Sequence, residues 1–160
     1  MNQLNRADLD QLLQNIAEDY HLLVPQRMDD GSRLLRPWGE GEPELSGEPV
    51  QRKPTEYFLP QLDPLLTIDG SGKVELQPEA KKPLCLFGLN RADLQCLAFV
   101  DRFNAIPPQD DAYARKRQGA LLIGLTGYCG PNGQLLPLAG DLRDIELVAV
   151  ENGWLALPHS

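Results

Sequence analysis

Three cysteines are the side chains of this sequence best suited to metal or redox chemistry. They are Cys85, Cys96 and Cys129, an odd number at wide spacing. We expect no export signal, and together these features predict reduced thiols rather than disulfides. Cys85 lies in a short apolar run and Cys96 among helically spaced apolar residues, so we expect both to be small buried side chains. Cys129 follows an apolar run in a glycine-rich segment, where doubly wound folds place ligand sites.

The glycine-rich segment 126–133 permits two interpretations. An iron–sulfur cluster held by Cys129, Asp93 and one further thiol is conceivable, but three scattered thiols do not supply the four cysteine ligands of a standard cluster. The segment matches neither the dinucleotide-binding nor the P-loop glycine pattern, so it gives no nucleotide prediction by itself.

The segment Gly88–Asp93 has better geometry for binding an anion. A strand that ends in glycine leads there into a helix, whose free N–H groups and dipole favour negative charge. The alternative is an ordinary connection in which Asp93 interacts only with the helix dipole. The predicted cofactor-binding residues are Gly88, Asn90, Arg91, Asp93 and Cys129.

Few other side chains suggest chemistry. Arg115–Arg117 is the one dense basic cluster, and it is either a solvated helix face or a contact for an acidic partner or a flavin phosphate. His21 and His159 are far apart and poorly accompanied. No arrangement suggests nucleophilic catalysis or metal binding, so neither a catalytic residue nor a metal ligand is predicted.

Composition narrows the classes of function. The 160 residues carry 15 Lys and Arg against 23 Asp and Glu, a net charge of −8, and such a surface repels nucleic acid and anionic membranes. No stretch approaches the roughly 20 apolar residues of a membrane helix, and the start of the chain is polar. We therefore expect a single cytoplasmic domain over 1–160 that binds no nucleic acid and enters no membrane.

The first half of the chain predicts a helix, a hairpin and a long arm. Apolar residues at helical spacing indicate a helix over 5–20, capped by Asn5 or Asp8. A hairpin of 21–25 and 33–37 follows. Residues 38–60 are rich in proline and glycine, so they predict an extended arm on the surface. A second tight turn is expected at 69–72, between short strands 65–68 and 74–76.

The second half predicts a mixed α/β core. Two continuous apolar runs alternate with helical patterns, and an antiparallel pair follows around an Asn-Gly turn. The predicted elements are strand 83–88, helix 91–103 capped by Asn90, helix 110–118, strand 119–125, and strands 146–150 and 153–157. The two apolar strands are expected to be parallel, in a mixed sheet.

The order of these features resembles a known family. The segments that carry the resemblance are Asp8–Val24 followed by Pro25, Lys53–Pro60 with Leu65 and Leu66, Leu86–Asp93, Asp111–Arg117, Leu122–Leu125, and Gly140–Leu142 through Asn152–Trp154. They are similar to the non-ferredoxin part of the 4Fe–4S dicluster electron-transfer subunits, which include the sulfhydrogenase beta subunit and its counterpart in anaerobic sulfite reductase. The resemblance implies a redox-complex scaffold.

Departures from that family shape the functional hypotheses. Where the family reads Gly-Val-Arg-Pro-Cys-Asp, this chain has Ala92 at the cysteine position and keeps Asp93. The paired Cys-x-x-Cys-x-x-Cys runs of the ferredoxin module are absent. The resemblance thus implies a relative that has kept the scaffold and lost the cluster ligands.

Three hypotheses follow. The first is a non-catalytic docking subunit of a redox complex, with no cofactor of its own and with protein subunits as partners. Its predicted partner-binding residues are Trp38, Tyr57, Phe58, Arg115 and Arg117. The second is a small redox or ligand-binding protein that holds a 4Fe–4S cluster or a flavin at 88–93 and 126–133, two turns that follow buried strands. The third is a homo-oligomeric domain.

Overall fold

The chain folds as an α/β protein around one mixed sheet, as predicted. The computed structural model describes residues 2–64, 66–76, 82–126 and 142–158. The strands are β1 Asn2–Leu4, β2 His21–Arg27, β3 Arg33–Pro37, β4 Leu66–Ile68, β5 Val74–Leu76, β6 Leu84–Leu89, β7 Leu121–Thr126, β8 Ile145–Val150 and β9 Gly153–Pro158. The helices are α1 Arg6–Asp19, α2 Arg91–Asn104 and α3 Asp111–Arg117, with a short 3-10 helix at Pro54–Tyr57. None of the described helices is long and apolar enough to cross a bilayer.

Seven strands form the main sheet in the order β1-β9-β8-β7-β6-β2-β3. The four central strands β2, β6, β7 and β8 are parallel. The outer strands pair antiparallel, β3 with β2 and β9 with β8, with β1 antiparallel to β9. The predicted hairpins and the predicted parallel pair β6–β7 are confirmed.

Helices cover both faces of the sheet because the central strands are apolar on both sides. One face packs on α1 through Leu9 and Leu13, which are fully buried. The other face packs on α2 and α3 through Leu94, Leu97 and Tyr113. The parallel strands therefore form the middle layer of three.

The start of α1 is fixed by local hydrogen bonds. The Asn5 side chain accepts from the Asp8 N–H, and the Asp8 carboxylate accepts from the Asn5 N–H, each at 3.0 Å. This reciprocal capping box satisfies two helix N–H groups that lack helical partners. Both residues proposed as caps from the sequence take part in it.

The arm 38–60 packs on both faces of the sheet, with Trp38 and Leu45 on the α1 side and Val50 and Phe58 on the α2 side. The only regular structure described in it is the 3-10 helix. Val50 and Phe58 are inserted into the core, at 3% and 1% exposure. The Tyr57 hydroxyl donates to the Leu35 carbonyl at 2.8 Å. The proline and glycine content thus predicted the irregular path, while the apolar side chains fix the arm to the domain.

Two features lie at the margins of the fold. Strands β4 and β5 form a separate two-stranded sheet, as the turn at 69–72 predicted. Strand β1 was not predicted, because three residues carry too little pattern to indicate a strand. Its Leu4 pairs with Trp154 of β9.

Candidate functional site

The two segments predicted to bind a cofactor both begin at the carboxyl-terminal ends of strands in the sheet. Strands β6 and β7 are parallel neighbours, so their carboxyl ends lie side by side, where ligands bind in open α/β sheets. Asn90 follows β6, and Thr126 ends β7. The rest of the second segment, including Cys129, lies outside the described residues, as does His159.

Gly88 forms an irregularity in β6. Its φ is +75°, and the pairing register with β7 shifts between Phe87 and Leu89. The shift turns Leu89 to the α2 face, beside Leu86. A Cβ at Gly88 would lie 2.7 Å from Cγ of the rigid Pro25 ring. Glycine is therefore required for packing here, whether or not a cofactor binds.

Asn90 and Asp93 form a buried polar pair at the start of α2. The Asn90 side chain accepts from the Asp93 N–H at 3.0 Å, which confirms the predicted cap. Asn90 is 7% exposed and Asp93 is 0% exposed. Asn90 Nδ2 and Asp93 Oδ2 have no hydrogen-bond partner among the described residues, an unusual state for buried polar atoms.

The arm supplies the cation that faces Asp93. Lys53 Nζ lies 3.2 Å from Asp93 Oδ1, and it is half-exposed. Burial raises the pKa of Asp93, while the charges of Lys53 and Arg33 oppose that rise. Arg33 is itself buried and pairs with Glu44 of the arm at 2.5 Å. The site is thus built jointly by the β6–α2 turn, β3 and the arm.

The same pentapeptide, Asn-Arg-Ala-Asp-Leu, begins both long helices, at 5–9 and at 90–94. In α1 the aspartate is exposed and completes the capping box. In α2 only the asparagine half of the box is present, and the Asp93 carboxylate pairs with Lys53 instead. Tertiary context, rather than local sequence, therefore sets the position of Asp93. Sequence reasoning missed Lys53 because a pair 40 residues apart leaves no local signal.

Arg91, the remaining residue predicted at this turn, is exposed. No ion pair joins it to any described residue. The structure therefore brings Asn90 and Asp93 together inside the protein and leaves Arg91 on the surface.

A second polar cluster at the same edge was not predicted. The Thr126 hydroxyl donates to Glu146 Oε1 at 2.5 Å, and Arg143 pairs with the same carboxylate. Thr126 and Glu146 are both buried. Neighbouring strands β7 and β8 position them, and such cross-strand pairing becomes visible only when the strand order is known.

The residues predicted to contact a partner are mostly used within the domain. Trp38 is partly buried and donates to Gln14 at 3.2 Å. Phe58 lies in the core, so the contact predicted for it would require release of the arm. Arg117 binds Asp101 at 3.0 Å and lies 5.6 Å from the Phe58 ring centre. Arg115 alone among these is exposed without an ion pair to the described residues.

The two described thiols lie on opposite sides of the sheet. Cys85 is fully buried on the α1 face, and burial raises its pKa to about 12. Cys96 is on α2, which covers the other face, and Ala92 offers no ligating atom. Within the described residues no three His, Cys, Asp or Glu side chains are arranged to hold a metal ion. These residues do not fit an iron–sulfur cluster, which needs thiolates that converge.

Comparison with known proteins finds a distant relative. Sulfhydrogenase 2 subunit beta of Pyrococcus furiosus is 26% identical over 106 residues, which cover 64% of this chain and 31% of that subunit. The chain is distantly related to this subunit. It matches about a third of the relative's length. No family model matches the chain, and no solved structure matches it significantly.

Proposed function

We propose that this chain is a non-catalytic accessory subunit of a cytoplasmic redox complex of the hydrogenase or sulfite-reductase type. In this role it docks other subunits and carries no iron–sulfur cluster of its own. The observation that carries the proposal is the distant relationship to a sulfhydrogenase beta subunit, in a chain that has Ala92 at the family's cysteine position.

The described thiols support the part of the proposal that concerns the cluster. A cluster needs several thiolates at one point. Cys85 and Cys96 are separated by the sheet, and the raised pKa of Cys85 disfavours its thiolate. A subunit with this arrangement contributes to the complex by binding other subunits at its surface.

A second candidate function is supported by the buried pair at the start of α2. Asn90 Nδ2 and Asp93 Oδ2 have unused hydrogen-bonding capacity within the described structure, at the sheet edge where ligands bind in such folds. Amide and carboxylate groups suit a polar organic cofactor such as a flavin better than a cluster. In this version the chain is a small ligand-binding redox protein.

Anaerobic purification of the tagged chain from its native host separates the two candidates. The proposal predicts co-purification with hydrogenase-, reductase- or flavoprotein-type subunits identified by mass spectrometry. It also predicts that the isolated chain is colourless and contains no stoichiometric iron, acid-labile sulfide or flavin. A chain that runs alone and carries a chromophore supports the second candidate and refutes the first.

A further inference from the structure

The outer face of α2 carries three large apolar side chains that nothing in the described part of the domain covers. Phe99, Phe103 and Ile106 are 68%, 67% and 64% exposed, and they are called the apolar stripe below. Phe99 and Phe103 are four residues apart, so they are neighbours on one helix face. Ile106 follows in the turn after the helix, where its N–H donates to the Phe103 carbonyl at 3.3 Å.

This stripe faces away from the core-facing side of the same helix. Leu94 and Leu97 of α2 are buried against the sheet. The helix is therefore held to the domain without any contribution from the stripe. Single exposed apolar residues are ordinary, but a contiguous patch on a folded domain marks an interaction site. Aromatic residues are enriched in the centres of such sites.

The charges around the stripe are unlike those of the rest of the protein. Residues 91–117 contain five basic and four acidic side chains, whereas the whole chain has a net charge of −8. Two of those acidic side chains form ion pairs, Asp93 with Lys53 and Asp101 with Arg117. Arg91 and Arg102, the exposed arginines of α2, therefore form a basic rim in an acidic protein.

The basic rim consists of Arg91 and Arg102 of α2, which are exposed and have no ion pair with any described residue. Arg91 and Arg102 are eleven residues apart on α2, which is close to three helical turns, so they lie on the same flank of the stripe.

A second copy of the chain is a poor occupant for this face. Two α2 helices paired antiparallel about a two-fold axis would bring the same flank of each together. Arg91 and Arg102 of both copies would then meet, and like charges disfavour that contact. An acidic counterpart removes this repulsion.

We propose that the outer face of α2 docks another subunit of the redox complex, whose contacting surface is apolar at its centre and acidic at its rim. The apolar stripe fills the centre of the interface, and the basic rim pairs with carboxylates around it. The inference rests on the proposed function for the kind of partner, and on the stripe and rim for the place and chemistry of docking.

Photo-cross-linking in the native host locates the interface. Phe99 is replaced by the photo-cross-linker p-benzoylphenylalanine, and a matched variant carries it in place of Ile68, which is 64% exposed on β4. We expect irradiation to link position 99 to an identified redox subunit, within a peptide that combines apolar residues with Asp or Glu. Position 68 should give no such product.

Substitutions then measure the two parts of the surface. Phe99→Ser with Phe103→Ser should lower the recovered partner at least tenfold without changing the thermal stability of the isolated chain. Arg91→Glu with Arg102→Glu should weaken recovery at low salt and reverse its salt dependence, because salt screens the repulsion that the new carboxylates introduce. The control Ile68→Ser with Val74→Ser, also exposed apolar residues, should leave recovery unchanged.

The outcomes distinguish this inference from the proposed function. A cross-link from position 99 to a second copy, or to a surface without acidic residues, overturns the docking inference. So does an intact complex in the Phe99→Ser, Phe103→Ser variant, although the proposed function then stands. If the unmodified chain co-purifies with no redox subunit, both fail.

Discussion

Gly88 shows how one residue sets the geometry of the site edge. Its positive φ and the shifted pairing of β6 turn Leu89 toward α2, immediately before the turn that carries Asn90. A substituted Cβ would be too close to the Pro25 ring, which cannot rotate away. Two costs therefore apply to any side chain at this position, one from the backbone and one from packing.

Gly88→Ala compared with Gly31→Ala separates these two costs. Gly31 has φ +82° and no atom within 4 Å of its added Cβ, so the alanine there should cost about 1–2 kcal/mol from the backbone alone. At Gly88 we expect an additional penalty of roughly 1–3 kcal/mol from overpacking. Urea unfolding of both variants measures the difference. Equal losses would show that β6 accommodates a side chain at the bulge.

Asp93 gives a pH-dependent prediction. Burial raises its pKa above the ordinary 3.8, so the folded protein holds this proton more tightly than the unfolded chain. The contribution of Asp93 to the free energy of unfolding therefore falls as pH rises from 3.8 through the folded pKa. Asp93→Asn cannot ionise, so relative to the unmodified protein it should become progressively more stable over that pH range.

Asp8→Asn is the matched control, because it makes the same change in the same pentapeptide. Asp8 is exposed and caps α1, and losing that interaction should cost roughly 0.3–1 kcal/mol. Urea unfolding at a series of pH values compares the two variants. A stability difference between Asp93→Asn and the unmodified protein that does not change with pH would contradict the assignment of a raised pKa.

At the scale of elements, the features that depend on local sequence pattern were predicted, whereas those that depend on long-range contacts were not. The helix 91–103 and its cap at Asn90 were evident because apolar spacing and capping chemistry are local. The burial of Asp93 was not, since the identical sequence at Asp8 leaves the carboxylate exposed. The partner of Asp93, Lys53, comes from an arm whose path depends on where its apolar residues insert. Local pattern therefore predicted the elements, and packing decided the site.

Phe58 holds the arm to the domain through contacts with the core. Its ring is 1% exposed and packs edge-on against Tyr113, with ring centres 6.2 Å apart. Phe58→Ala should cost about 3–5 kcal/mol through the cavity it leaves. The neighbouring Leu59 is 41% exposed, so Leu59→Ala should stay within about 0.5 kcal/mol.

Hydrogen exchange shows whether the arm loosens as a unit in the Phe58→Ala variant. The amide of Gln51, which donates to the Arg33 carbonyl at 2.9 Å, should exchange faster, while amides in β9, far from β3 in the sheet order, should be unaffected. Uniformly faster exchange across the protein would instead indicate global destabilisation.

At the scale of the whole molecule, the arm, the outer face of α2 and the buried polar pair Asn90–Asp93 are separate regions. The arm uses most of its aromatic residues internally, so the docking surface that we propose is on α2 rather than on the arm. The sheet edge with Asn90 and Asp93 forms a separate, buried polar region. The docking that we propose at α2 therefore does not require the arm to be released, because the apolar stripe is already exposed.

The sheet is completed by pairing the two ends of the described chain. Strand β1 pairs with β9, and Gly153 makes this contact possible, because a Cβ there would lie 2.0 Å from the Leu4 carbonyl oxygen. Backbone atoms cannot yield as a flexible side chain can. Gly153→Ala should therefore displace β1 from the sheet edge, at a cost of roughly 1–3 kcal/mol.

Hydrogen exchange of the β1 and β9 amides tests this closure, with Gly72→Ala as control because an added Cβ at Gly72 meets no atom within 4 Å. We expect the β9 amides that face β1 to lose protection in Gly153→Ala alone, and the unpaired edge to increase self-association with concentration. Retained protection of β1 would mean that the strand adapts to a side chain at position 153. Gly153 would then not be required for the pairing of β1 with β9.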